Sequence, residues 1–117
     1  MSTLAPLLPL TVEAPLEAME NAPEINYYNI MKSSMVLRAL NHKLREQIIT
    51  IIQENKRLTV TQLYVKMRLE QSVISQHLAI LRRAGIVSTD RDGKFIFYSL
   101  NFSRLEAINR FTNNLVG

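Results

Sequence analysis

The stretch that decides the fold covers residues 58–100 and reads LTVTQLYVKMRLEQSVISQHLAILRRAGIVSTDRDGKFIFYSL. Near its start, Thr59 is followed three positions later by Gln62, which is the capping-box pattern of a helix N-terminus. This pattern predicts a short helix over residues 60–67. Residues 68–71 are too few to form a loop between independent helices. We therefore expect the next helix to cross the first at a steep angle.

The second helix of this stretch is expected over residues 71–84. Apolar side chains recur along it every three to four positions, in a stripe that faces a core, at Ile74, Leu78 and Leu81. The opposite face is polar and carries Gln71, Ser72, Ser75, Gln76 and Arg83. Gly85 stands where a left-handed C-terminal cap is favoured, and a strand is expected to start at Ile86.

A β-hairpin is expected to follow this helix. Asp92-Gly93 is a favoured two-residue hairpin turn, and Arg91 and Lys94 lie on either side of it. The order of helix, turn, helix and hairpin predicts a winged helix-turn-helix, in which the second helix enters the major groove of DNA.

Two helices are expected before this stretch and one after it. The first is apolar on two faces, one with Tyr28, Met31 and Met35 and the other with Ile30, Leu37 and Leu40. The second, from His42 to Asn55, presents inward Leu44, Ile48, Ile51 and Ile52. The last is capped by Asn101 and repeats apolar residues at Phe102, Leu105, Ile108, Phe111 or Thr112, and Leu115. The expected fold class is mainly α with a small β-hairpin wing (α+β), in the order α-α-(short β)-α-α-β-β-α.

The first and last helices carry more apolar surface than one small core can cover. Pairing them across a two-fold axis would bury that surface against a second copy. We therefore expect a homodimer whose interface includes Tyr28, Met31, Met35, Leu105, Ile108 and Leu115.

Charge and proline divide the chain into two parts. Residues 1–31 contain four acids and no lysine or arginine, whereas residues 32–117 contain all 14 bases and the other six of the ten acids. The four prolines also lie near the N-terminus, at Pro6, Pro9, Pro15 and Pro23. We expect residues 1–24 to be an acidic, mostly extended appendage, with one or two weak helical turns around Leu16. Residues 25–117 are then the DNA-binding and dimerisation domain, and their basic charge suits a surface that meets phosphates.

Composition excludes several classes of function. The absence of cysteine excludes disulfides and thiolate metal sites. Three glycines in total, with no phosphate-binding loop and no paired-carboxylate motif, argue against an enzyme and against a bound cofactor. No apolar run approaches the ~20 residues of a membrane span, and no basic segment precedes Leu7-Leu8 as in a signal peptide. We expect a cytoplasmic protein with no membrane partner.

The two histidines are expected to have structural roles. His42 stands at a helix start and is expected to cap it or lie on the surface, and His77 is expected to be half-buried beside a polar partner. They are 35 positions apart, with no carboxylate pattern nearby, so we expect no metal site.

Four segments resemble the ArsR (arsenical-resistance repressor) family of winged-helix regulators. ALNHKLREQII (residues 39–49) is similar to the family's opening segment, and RLTVTQL (residues 57–63) resembles its ELCVCEL box. QSVISQHLAILRRAGIV (residues 71–87) resembles QSTVSHHLKVLREAGLV, and RDGKFIFYSL (residues 91–100) resembles the wing REGRWVYYRL. The resemblance implies a homodimeric repressor whose two recognition helices enter successive major grooves of a palindromic operator.

This sequence departs from the family pattern where metals are bound. Thr59 and Thr61 occupy the positions of two family cysteines, and a hydroxyl is a poor substitute for a thiolate. The last helix has no histidine and one acid, Glu106, so the family's Asp/His zinc site is also missing. Lys43 replaces a proline, and Glu70 stands where serine often caps the recognition helix.

The sequence therefore predicts a dimeric, DNA-binding repressor without the common metal-sensing sites. Glutamine and serine can hydrogen-bond to base edges, and a basic wing lies beside the minor groove, so the expected contacts to double-stranded DNA are Gln71, Ser72, Ser75, Gln76, Arg83, Arg91 and Lys94. The same residues could also be an ordinary solvated face. The alternative function is thus a winged-helix module that binds protein, because fold alone does not decide function.

Overall fold

The computed structural model describes residues 21–117, and the predicted fold class and order of elements are confirmed. The elements are α1 (Tyr27–Leu40), α2 (Lys43–Asn55), β1 (Arg57–Leu58), α3 (Val60–Met67), α4 (Gln71–Arg83), β2 (Val87–Asp92), β3 (Phe95–Leu100) and α5 (Phe102–Val116). The weak helical turns predicted around Leu16 lie outside the described residues.

Side-chain caps fix the starts of four of these helices. The side chains of Asn26, His42 and Asn101 accept backbone N–H groups at the starts of α1, α2 and α5. At α3 both bonds of the predicted capping box form: Gln62 N–H donates to Thr59 Oγ1 over 3.2 Å, and Thr59 N–H donates to Gln62 Oε1 over 2.9 Å. The prediction that His42 caps a helix is confirmed, since its Nδ1 accepts from Leu44 N–H over 3.1 Å.

The three strands form an antiparallel sheet in the order β1-β3-β2. The register of the wing pairs Val87 with Leu100 at its base and Asp92 with Phe95 at its tip. The two loop residues are therefore Gly93 and Lys94, so the predicted Asp92-Gly93 turn is wrong by one position. Gly93 has φ +65°, and Lys94 is not among the residues with positive φ. This arrangement fits a type II′ turn, which favours glycine at its first central position.

The core lies where α2, α3, α4 and the sheet meet. Seven large apolar side chains are almost fully buried there: Ile48, Ile52, Leu63, Ile74, Leu78, Leu81 and Ile86. The predicted inward stripe of α4 is thus confirmed. No residue of α5 is fully buried, although Leu105 and Ile108 pack against the core.

The junction between α4 and α5 is tied by hydrogen bonds around Gly85. Gly85 has φ +76°, and its N–H and that of Ile86 donate to the carbonyls of Arg82 and Leu81, each over 2.9 Å. This Schellman pattern ends α4 and starts the wing, as the sequence predicts. Arg104 Nε then donates to the Ala84 carbonyl over 3.2 Å, which fixes α5 against the end of α4.

Candidate nucleic-acid interface

The face of α4 opposite the core is an exposed polar stripe. Ser72, Gln76, Ala79 and Arg83 follow one another at intervals of three or four residues and are all exposed, so they share one side of the helix. Gln71 and Ser75 are exposed beside them. Ala79 was not predicted as part of this surface, and its small methyl group leaves the middle of the stripe open to a docked partner.

Arg83 lies at the far end of this stripe. The rise of an α-helix puts it about 10 Å from Gln76 along the axis. Arg83 lines a groove of about 810 Å³ at the border of α1 and α5. Lys32 of α1 and Arg104 of α5 line the same groove. The structure therefore does not bring Arg83 together with the four polar residues at the start of α4.

The start of α4 differs from the other helix starts. Glu70 is its N-cap residue and makes no side-chain capping hydrogen bond. A carboxylate there is favourable for the helix dipole but unfavourable beside a phosphate. The first turn of α4, with Gln71 and Ser72, thus presents polar side chains next to one negative charge.

The wing carries charges of both signs. Arg91 and Lys94 are exposed, as are Asp90 and Asp92. Arg57 of β1, which was not predicted as a functional residue, joins this surface from the neighbouring edge of the sheet. Its guanidinium pairs with Asp92 over 3.2 Å and lies 4.0 Å from the centre of the Phe97 ring. No local pattern around Arg57 reveals this role, because Asp92 is 35 residues away.

Behind α4, two histidines and an arginine meet. The ring centres of His42 and His77 lie 4.8 Å apart, although their separation of 35 positions in the sequence predicts no contact. Arg45 donates to His77 Nδ1 over 3.2 Å, which confirms the predicted polar partner of a half-buried His77. Partial burial, followed by the proximity of His42 and Arg45, holds the pKa of His77 below its ordinary value.

The residues expected at a dimer interface are not equally accessible. Tyr28, Met31 and Met35 of α1 and Leu115 of α5 are exposed large apolar side chains. Leu105 and Ile108 instead pack partly against the core of their own chain. The exposed apolar side chains of α5 also include Phe102, Phe111 and Val116.

The positions of the family cysteines are occupied differently here. The Thr59 hydroxyl is used in the capping box of α3, and Thr61 is exposed. Among residues 21–117, no group of three or more histidine, cysteine, aspartate or glutamate residues could hold a metal ion. Over the same range, no helix has the length and apolarity needed to cross a membrane.

Comparisons with known proteins agree with this geometry. The family model described as bacterial regulatory protein, arsR family, matches residues 42–89. The chain is 34% identical over 87 residues to the transcriptional activator HlyU of Vibrio cholerae, which covers 74% of this chain and 80% of that protein. It is 37% identical over 103 residues to the biofilm growth-associated repressor of Agrobacterium fabrum, with 86% and 80% covered.

A solved structure supports the same relationship. The crystal structure of the transcriptional repressor PagR of Bacillus anthracis superposes with a TM-score of 0.61 at 30% identity. The superposition covers 74% of this chain and 99% of PagR. The names of these relatives include an activator and repressors, so what they share is the control of transcription.

Proposed function

This chain belongs to the arsR family of bacterial regulatory proteins, and from that membership we propose that it is a homodimeric repressor that reads a palindromic operator. Members of the family are DNA-binding transcriptional regulators, so the chain is a regulator of transcription and not an enzyme. The finer parts of the proposal are the dimer, the two-fold site, repression, and the residues that contact DNA.

The observation that carries the proposal is the two-sided character of α4. Ile74, Leu78 and Leu81 anchor one side in the core, and Ser72 and Gln76 stand exposed on the other. A rigid helix with hydrogen-bonding side chains on its free face can dock into the major groove, where each base pair has a distinct set of donors and acceptors.

The proposed contacts divide into two groups. Gln71, Ser72, Ser75 and Gln76 stand at the start of α4 and can reach base edges or nearby phosphates. Arg83 at the other end of α4, and Arg91 and Lys94 on the wing, are proposed to contact phosphates or the minor groove. Phosphate contacts supply affinity and orientation, whereas base contacts supply sequence preference.

The proposed dimer is supported by the exposed apolar surface on α1 and α5. Met31 and Met35 on α1, and Phe111 and Leu115 on α5, each have about half or more of their surface exposed. A two-fold axis would bury both helices of both copies and place the two α4 helices on one side. Half-sites about one helical turn apart, roughly 34 Å, are then expected.

We propose that the signal for this regulator is not a thiophilic metal. Thr59 and Thr61 provide hydroxyls where the family can provide thiolates, and α5 carries no imidazole. A different ligand, a protein contact, or the amount of protein present would then set its activity. We place this activity in the cytoplasm, where a bacterial regulator meets its operator.

Selection from a random-sequence duplex pool tests the proposal directly. The full chain should enrich a two-fold motif, and fluorescence anisotropy on the enriched duplex should show a steep loss of affinity with added salt. Failure to enrich any motif, with no duplex binding at low salt, would favour the alternative of a protein-binding module.

A further inference from the structure

Arg45 of α2 connects the end of α1 to the recognition helix α4. Only 7% of its surface is exposed. Its guanidinium donates to the carbonyls of Ala39 over 2.6 Å and Arg38 over 3.2 Å, and to His77 Nδ1 over 3.2 Å. The last four carbonyls of a helix have no partner within it, so Arg45 satisfies two of them at the end of α1. The same group holds α4 through His77.

This connection requires a neutral His77. A guanidinium has only donors, so Nδ1 of His77 must be the acceptor and the ring proton must sit on Nε2. A protonated imidazole has donors at both nitrogens and would turn an N–H toward Arg45. The hydrogen bond would be lost, and two positive charges would face each other.

The surroundings of His77 oppose its protonation. The charged and titratable groups that face it are His42, the N-cap residue of α2, and Arg45 of α2, and either one disfavours a second positive charge. α1 contributes the two carbonyls that Arg45 already uses, and neither α1 nor α3 adds a charged group to the pKa shift of His77. Within residues 21–117, no carboxylate is among the groups that shift the pKa of His77.

We propose that Arg45 is a positioning residue for DNA recognition, and that its bond to a neutral His77 makes selective DNA binding fail in acid. The inference rests on the proposed role of α4. His77 directly follows Gln76 in the chain, so a change at His77 moves the residue proposed to read bases. The pKa of His77 lies below its ordinary value of 6.5, so His77 is neutral and its bond to Arg45 is intact above pH 6.5. The bond is lost when the pH falls through this lowered pKa and His77 becomes protonated.

The expected effect of acid on selectivity differs from the effect of added positive charge on overall affinity. Added positive charge strengthens binding to all duplexes, because it attracts phosphates without regard to sequence. Loss of the Arg45–His77 bond should instead lower the ratio of affinities for the selected and a scrambled duplex. That ratio is therefore the quantity to measure.

The test uses anisotropy at pH 7.5 and pH 5.5, at constant ionic strength, with the duplex selected at pH 7.5 and its scrambled version. The wild-type ratio should be lower at pH 5.5 than at pH 7.5, because protonation of His77 removes the acceptor that Arg45 uses. His77→Asn keeps an acceptor for Arg45 and cannot titrate, so its ratio should stay the same at both pH values. His42→Asn keeps a favoured cap residue but removes one neighbour that opposes protonation of His77, so its ratio should also fall in acid, at least as far as that of the wild type.

A second measurement tests the connection without DNA. Nitrogen NMR of the folded protein at pH 7.5 should show His77 Nδ1 without a proton, and Arg45→Lys should shift that resonance while circular dichroism reports an intact fold. A proton on Nδ1 at pH 7.5, or a wild-type ratio unchanged in acid, would overturn the inference and leave the proposed function in place. If His77→Asn retained the acid effect, the inference would also be overturned. If no sequence were selected at all, the proposed function would fail and this inference with it.

Discussion

Arg57 at the start of β1 forms an ion pair with Asp92 at the end of β2, with 3.2 Å between its Nη2 and the carboxylate Oδ2. The same guanidinium lies over the Phe97 ring of β3. One side chain thus touches both strands of the wing. The side chains of Arg57 and Asp92 are 46% and 63% exposed, so we expect the pair to add little to stability. Its greater consequence is that the positive charge of Arg57, which lies near the proposed DNA surface, is already paired with the carboxylate of Asp92.

Asp92→Asn should strengthen binding to every duplex. The change removes a negative charge from the wing and releases Arg57 for a phosphate, so the salt dependence should steepen by about one unit. Asp90→Asn is the matched control, because it removes the same charge on the same strand without touching Arg57. Equal effects of the two changes would show that Arg57 gains no phosphate contact.

Phe111→Glu combined with Leu115→Glu should convert the dimer to a monomer. Both side chains are exposed in the single chain, so a charge there should be tolerated by the fold but not inside an apolar interface. Leu105 and Ile108 are less suitable, because they also pack against the core. Sedimentation at micromolar concentration measures the result, and Asn113→Glu on the same helix is the control. A monomeric wild-type protein would contradict the proposed dimer.

Calorimetry with zinc, cadmium and arsenite should detect no site tighter than micromolar. Thr59 and Thr61 give no thiolate, and α5 gives no imidazole. A variant with Thr59→Cys and Thr61→Cys, which supplies the two thiols of the family pattern, serves as a positive control. A stoichiometric nanomolar site in the wild type that also weakens DNA binding would show that a metal is the signal after all.

Gly85→Ala should lower the free energy of unfolding by about 1–2 kcal/mol, because a side chain with positive φ is strained. A Cβ at Gly85 would also lie 3.2 Å from Arg104 Nε, whereas a Cβ at Gly93 would have no neighbour within 4 Å. Urea unfolding should therefore show a larger loss for Gly85→Ala than for Gly93→Ala. A larger loss at Gly93 would mean that the tip of the wing, and not the junction with α5, limits stability.

Local patterns predicted most of the central fold. The capping box of Thr59 and Gln62, the spacing of Ile74 and Leu78, and Gly85 act within a few residues of where they stand. Their physical effects can therefore be inferred without the rest of the chain.

The position of the wing turn could not be settled in this way. Asp92-Gly93 suits a type I′ turn and Gly93-Lys94 suits a type II′ turn, so both registers satisfy the local rules. The pairing of Asp92 with Phe95 selects the second. The contact of Arg57 with Asp92 belongs to the same tertiary arrangement.

The cluster of His42, Arg45 and His77 behind α4 could not be predicted from the sequence for a similar reason. Arg45 and His77 are separated by 32 residues, and their contact depends on how α2 crosses α4. No spacing rule relates residues on two helices that are joined through a strand and a third helix. The exposed face of α4 was easier to predict, because amphipathic spacing alone places Ser72 and Gln76 on it.

The most direct test of the account compares Gln76→Ala on α4 with Lys94→Ala on the wing, by anisotropy on the selected and scrambled duplexes at several salt concentrations. Gln76→Ala should reduce the discrimination between the two duplexes by about 1–3 kcal/mol. Lys94→Ala should weaken both duplexes alike and reduce the salt slope by about one unit. Ser75→Ala and Arg91→Ala should follow the same division. If all four variants bind both duplexes as the wild type does, α4 and the wing do not form the DNA-binding surface, and the account is contradicted.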